Sequence, residues 1–236
     1  MEGSDLVTVK NLIVDQGSFR LEVPDWRVQE GTVVGVVGPN GAGKTTLLEL
    51  LPGLRRAKLG RVRVFGLDPI ADPAGVRSRL GFMTDNMPVF ALKVGRLLHL
   101  LSGYYATWDA NLVEDLLERF KLDRSSQVGE LSRGQGTRLR LITAMAFCPR
   151  VLVLDEPASG LDLGGRRALL ETVLEIVRNS LRSVIISSHM LTDLERITDE
   201  LLVLHRGRVV KQGITGDLVG EGRTLEEALI AWGAAG

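Results

Sequence analysis

Cysteine is nearly absent from this 236-residue chain. Cys148 stands alone, so no internal disulfide can form and redox compartment is left open. Its neighbours Ala146, Phe147 and Pro149 mark it as a buried small hydrophobe rather than a nucleophile. Excess charge is missing too. Lys plus Arg and Asp plus Glu each total 29, giving zero formal net charge. A nucleic-acid binder's basic footprint is therefore lacking, and no nucleic-acid partner is expected. No apolar run approaches the ~20 residues that cross a bilayer. Met1–Lys10 has no basic stretch leading into an apolar segment, so no secretory signal is visible and a cytoplasmic protein is expected. If it works at a membrane, another protein must do the spanning. Internal repeats, low-complexity tracts and linkers are lacking as well. What is present is ordinary for a folded protein: 44% hydrophobic and 25% charged residues, enough to bury a substantial core.

From Leu6 to Trp26 apolar and polar residues alternate, as in Phe19-Arg20-Leu21-Glu22-Val23, which predicts antiparallel strands with a turn near Gln16-Gly17. Thr32–Val37 is a continuous apolar run between glycines, the pattern of a strand covered on both faces. A helix is predicted from Lys44 to Leu51, and a further strand at Val62–Phe65. Residues 88–147 read mainly as helix, with Leu112, Val113, Leu116, Leu117 and Phe120 at helical spacing. Strands return at Val151–Leu154, Val184–Ser187 and Leu201–Leu204, with a helix from Gly164 to Asn179 and a late hairpin around Arg206-Gly207. Strands alternating with helices imply an α/β fold on a largely parallel sheet.

The strand at Thr32–Val37 runs into Gly38-Pro39-Asn40-Gly41-Ala42-Gly43-Lys44-Thr45-Thr46, a complete phosphate-loop pattern between strand and helix. The glycines let the backbone curl so that successive N–H groups face phosphate oxygens, and the helix aims its positive end at the same anion. Lys44 is expected to reach the β- and γ-phosphates and the Thr45 hydroxyl to ligate Mg²⁺. A glycine-rich turn that binds nothing is the competing reading, and the strand-before, helix-after setting argues against it.

Downstream, Val151-Leu152-Val153-Leu154-Asp155-Glu156 is a buried strand that delivers carboxylates at its C-terminal edge, where α/β sheets place ligands. Asp155 is the expected Mg²⁺ holder. Glu156 is placed to polarise an attacking water. Alone, such a run is usually just a strand end; beside a phosphate loop it reads as the hydrolytic half of an ATPase.

Three further segments carry a resemblance. Leu131-Ser132-Arg133-Gly134-Gln135 resembles the signature of ATP-binding-cassette (ABC) proteins, Ser159-Gly160-Leu161-Asp162 their D-loop, and Ser187-Ser188-His189 their switch histidine. The order agrees from about residue 6 to 213. The resemblance implies a P-loop NTPase fold with an N-terminal antiparallel β subdomain and a helical subdomain inserted at about 86–148. It assigns residues 1–220 to the ATPase domain and 221–236 to a short C-terminal tail. It also implies head-to-tail pairing with a second ABC subunit, identical or not. Ser132, Arg133, Gly134 and Gln135 would then act in trans, Asp162 would communicate across the dimer, and His189 would contact the γ-phosphate. A separate integral membrane permease would be the other partner, placing the chain at the inner face of the cell membrane. The segment Tyr104–Asp109 and the short length are similar to bacterial ABC-2-type exporter ATPases. Trp108-Asp109 reads equally as a packed aromatic beside a helix N-cap, and His99 and His205 read as structural or surface residues.

The chain departs from that pattern at three points. Asp85 stands where a metal-binding glutamine is usual, with Asn86 as an alternative ligand. Gln16 stands where an adenine-stacking aromatic is usual, leaving Phe19 either as a substitute in the nucleotide site or as core. Arg133 replaces the first signature glycine, either adding a cation near the partner's γ-phosphate or pointing to solvent. An iron–sulfur-assembly type of soluble cassette ATPase and a nucleotide-binding module without turnover are the competing functions.

Overall fold

A computed structural model describes residues 5–84, 90–178, 182–188, 191–220 and 222–234. Asp85, Asn86 and His189 thus lie outside the described residues.

The alternating segment forms two long strands, β1 (Asp5–Gln16) and β2 (Phe19–Gln29), paired antiparallel with Gln16 opposite Phe19. Alternation does its usual work here: Val7, Val9, Leu12 and Val14 are buried while Lys10, Asn11 and Asp15 face water. The apolar run gives β3 (Val33–Val37), buried at every residue, followed by α1 (Lys44–Leu50). β4 (Leu59–Val64) pairs with the other edge of β1.

Between these and the helical region lie two elements that the sequence pattern did not predict. α2 (Pro73–Arg77) is capped by Asp72, which accepts the Gly75 N–H, and carries proline in its first turn. β5 (Leu80–Met83) follows. The helical region holds α3 (Val94–Ser102), α4 (Ala110–Arg119), a 3₁₀ turn at Val128–Glu130 and α5 (Arg133–Met145). Asp109 caps α4 by accepting the Leu112 N–H at 3.0 Å. Trp108 packs half-buried beside it. Val113, Leu116, Leu117 and Phe120 are buried and Leu112 is half-buried, as their spacing predicts. Cys148, expected to be buried, is half-buried, because it sits in the left-handed turn (φ 54) leading out of α5.

The remaining chain alternates β6 (Val151–Asp155), α6 (Leu163–Arg178), β7 (Ser183–Ser187), α7 (Leu191–Ile197) and β8 (Glu200–His205). The hairpin partner β9 (Arg208–Ile214) and α8 (Thr215–Val219) follow. The segment expected as a short tail carries α9 (Leu225–Ala231). Its Thr224 and Glu227 form a capping box, and Leu225 and Leu229 join a core cluster with Leu194 and Val219. No helix among the described residues is long and apolar enough to cross a membrane.

Among the described residues all nine strands join one sheet, in the order β4-β1-β2-β9-β8-β3-β7-β6-β5. From β8 to β5 every pairing is parallel, so β3, β7 and β6 end side by side on one edge. One core cluster lies between the sheet and the helical region; the other joins α1 to the N-terminal strands. The helical region meets the sheet edge tightly at Gly81 of β5, where a Cβ would come within 2.2 Å of the Ala144 backbone oxygen in α5. Gly81→Ala must push α5 off β5. We expect a loss of about 1–3 kcal/mol and a melting temperature lower by roughly 2–4 °C per kcal/mol; an unchanged melting curve would refute the close packing.

Candidate functional site: the phosphate loop and its carboxylates

At the end of β3 the chain turns through Gly38 (φ 148), Gly41 (φ 78) and Gly43 (φ 107), conformations that residues with a Cβ rarely adopt. Gly38 also leaves no room for one, since a Cβ there would lie 2.1 Å from the Leu204 backbone oxygen. Ala42 closes the turn by donating its N–H to Pro39 O at 3.1 Å, and Gly207, from the β8–β9 hairpin, braces it by donating to Ala42 O. Lys44 opens α1 and is only 7% exposed. Its ammonium donates to the carbonyls of Gly38 (2.7 Å) and Pro39 (3.3 Å) and stands 3.8 Å from a Glu156 carboxylate oxygen. Thr45 donates its hydroxyl to Asp155 Oδ2 at 2.7 Å, although the two are 110 positions apart in sequence. The loop lines a cavity of about 440 Å³ that also touches Gln16, Phe19, Thr46 and Glu156.

The acids arrive from β6. Asp155 ends the strand, 5% exposed, with Ser187 directly across on β7. Ser187 Oγ donates to Asp155 Oδ1 at 2.6 Å. Glu156 takes a left-handed backbone conformation (φ 50), which costs an L-residue about 1–2 kcal/mol. Its N–H donates to both Ser187 Oγ (2.9 Å) and Ser187 O (3.2 Å).

Phe19 is half-buried at the cavity edge. Its ring packs against the glycine that precedes α1: a Cβ on Gly43 would meet Phe19 Cζ at 3.0 Å. Gln16 is exposed on the same cavity.

The signature and D-loop segments lie side by side, and no residue of either is among those that line the phosphate cavity. Ser132 caps α5, accepting the Gln135 N–H, while the Gln135 side chain accepts the Ser132 N–H at 3.0 Å. Gly134 faces Leu161. Arg133 is exposed and makes a contact within its own chain. Its guanidinium folds over its own chain's D-loop, donating to Ser159 Oγ at 3.3 Å, and Gly160 makes the room, since a Cβ there would lie 2.4 Å from Arg133 Nε. Asp162 Oδ1 accepts the Gly165 N–H at 2.7 Å and so starts α6. His99 is exposed and His205 half-buried, away from the phosphate loop's lining.

Sequence reasoning passed over two features. One is the Ser187 hydroxyl, visible only once β6 and β7 are in register. The other is an apolar groove of about 520 Å³ between the sheet and the helical region, lined by Leu54, Phe82, Phe90, Leu101, Tyr105 and Phe147 among others. Tyr105 stacks on Phe147 with centroids 3.9 Å apart, and burial pushes its hydroxyl above the ordinary tyrosine pKa.

A parallel sheet that delivers a phosphate loop from one strand and an Asp-Glu pair from a strand two places away defines a P-loop nucleoside triphosphatase. The comparisons narrow the class. The family profile described as ABC transporter matches residues 21–159. The chain is 35% identical over 206 residues to a daunorubicin resistance ATP-binding protein of Streptomyces coeruleorubidus, covering 84% of this chain and 64% of that protein. It is 36% identical over 202 residues to a Nod factor export ATP-binding protein of Burkholderia lata, covering 81% and 65%. A solved ATP-binding subunit of an ABC transporter superposes with a TM-score of 0.87 at 27% identity, over 97% of this chain and 99% of that one. The chain belongs to the ABC transporter family. It spans less than two thirds of the length of the two curated relatives just described.

Proposed function

We propose that this chain is the ATP-hydrolysing subunit of an exporter, pairing head to tail with a second ABC subunit to drive a separate membrane permease. The observation that carries the reading is the meeting of Lys44, Thr45, Asp155 and Glu156 beyond the ends of β3 and β6, two strands separated by β7. The loop amides and Lys44 hold the triphosphate. Thr45 and Asp155 bring hard oxygen donors to one point, a set that suits Mg²⁺. Mg²⁺ held there would supply positive charge to offset the negative charge of the triphosphate. Glu156 orients the attacking water and accepts its proton, with the Lys44 ammonium nearby to balance charge. Asp85 is proposed as a further metal contact, His189 as a γ-phosphate contact and Phe19 as the base platform. Ser132, Gly134 and Gln135, exposed or half-exposed at the start of α5, are available to a nucleotide held by a second subunit. Asp162 is proposed to lie at the same junction.

Export is favoured by the drug-resistance and Nod-factor relatives over cluster assembly. An apolar groove on a member of a transporter family, with exposed Phe90 and Leu54 at its wall, suits a segment of the permease and supports a position against the membrane's inner face. Phosphate release from Mg-ATP and recovery with a multi-spanning membrane protein are the test. We expect Phe90→Glu to keep basal hydrolysis within about threefold while losing the membrane partner. Recovery with a soluble scaffold instead would reverse the assignment.

A further inference from the structure

We propose that Ser187 is a positioning residue for hydrolysis: its one hydroxyl sets both carboxylates of the site. This inference rests on the hydrolytic role of Glu156 proposed above.

The bonding leaves little freedom. An ionised carboxylate only accepts, so the single Ser187 hydroxyl hydrogen is committed to Asp155 Oδ1, 2.6 Å away. The lone pairs that remain face the Glu156 N–H at 2.9 Å. A one-way chain results, from the Glu156 amide through Ser187 Oγ to Asp155. Thr45 Oγ1 takes the opposite carboxylate oxygen, Oδ2, at 2.7 Å. Asp155 is therefore gripped on both oxygens, by the phosphate-loop helix on one side and by β7 on the other. β7 lies between β3 and β6 in the sheet, and its residue Ser187 pairs with Asp155 in register, so the hydroxyl is delivered by strand backbone rather than by a loop. Ser187 is itself fully buried.

The second half of the grip matters more for chemistry. Glu156 stands in a left-handed conformation (φ 50) that its own side chain does not favour. Ser187 holds that conformation through both its hydroxyl and its carbonyl oxygen, and the result is a carboxylate on the wall of the nucleotide cavity. Ser187 itself is not among the residues that line the cavity. The groups that bind phosphate, the loop amides and Lys44, do not depend on it. Loss of the hydroxyl should therefore slow turnover while leaving nucleotide affinity intact, a separation that a packing residue would not produce.

The test compares the parent protein with Ser187→Ala, Ser187→Cys and Glu156→Gln. Steady-state phosphate release is measured alongside equilibrium titration with mant-ATP, with and without Mg²⁺, and thermal melting. For Ser187→Ala, kcat should fall by about 10–100-fold, the range for a lost partner of a metal-binding side chain. KM and the mant-ATP Kd should stay within about threefold of the parent. Ser187→Cys, close in shape but a weak donor, should be slowed similarly. A fast Ser187→Cys, an unslowed Ser187→Ala, a Kd that weakens as much as the rate falls, or melting lowered by more than about 10 °C would each reduce Ser187 to a packing residue. If Glu156→Gln also hydrolyses at the parent rate, the hydrolytic reading itself fails; if it is blocked while Ser187→Ala runs normally, only the present inference does.

Discussion

Glu156→Gln should lower kcat by about 10²–10⁴-fold, the span that a positioned general base contributes, while Mg-ATP still binds. Glutamine keeps the length of the side chain and the backbone N–H that donates to Ser187, so the left-handed turn and the wall of the cavity survive. What disappears is the capacity to take a proton, together with one negative charge 3.8 Å from Lys44. Removing an anion from beside a triphosphate relieves repulsion, so affinity should hold or rise. Bound but unspent ATP should then accumulate in the paired form. Size exclusion in Mg-ATP should show a species of doubled mass for the variant and chiefly monomer without nucleotide. A variant that turns over normally would remove Glu156 from the mechanism and leave the chain a nucleotide-binding module.

The parts of this site that could be read from sequence are those set by local rules. Gly38 to Thr46 announces its backbone curl through its glycines, and Val151–Asp155 announces a strand end through an apolar run that stops at an acid. Because parallel strands present their C-terminal ends on one edge, those two local signals were enough to bring Lys44, Asp155 and Glu156 together. Ser187 escaped because its role depends on register between two strands, and register is a property of the sheet. The Arg133 contact with Ser159 is not legible either, because it depends on the space above Gly160, a residue 27 positions later in the chain whose missing Cβ is meaningful only once α5 and the D-loop are adjacent. β5 is four residues long with a glycine inside, too short for alternation to register. α9 is different in kind: Thr224 and Glu227 carry a capping-box signal and Leu225, Ala228 and Leu229 a helical stripe, so its helix was legible and the expectation of a tail overlooked it.

Lys44→Ala should fail at the opposite step, weakening mant-ATP affinity by about 10²–10⁴-fold. Contacts between an ammonium and phosphate oxygens are charge-assisted, each worth roughly 1.5–3 kcal/mol, and about 1.4 kcal/mol is a tenfold change in Kd. Two such contacts, to the β- and γ-phosphates, give that range. The loop holds this side chain in place before any phosphate arrives. Lys44 is 7% exposed, and its ammonium is tethered by the Gly38 and Pro39 carbonyls with a Glu156 oxygen 3.8 Å away. Lys44→Arg should recover little, because a planar guanidinium cannot occupy the space of a compact ammonium between two loop carbonyls. Folding should be affected far less than binding. Two carbonyls lose a donor, but a buried charge also no longer has to be accommodated, and these effects oppose each other. The two variants therefore divide the site into a half that grips the triphosphate and a half that attacks it. A Lys44→Ala protein whose Kd stayed within about threefold of the parent would mean that the loop amides bind nucleotide unaided, and the division would have to be redrawn around the backbone alone.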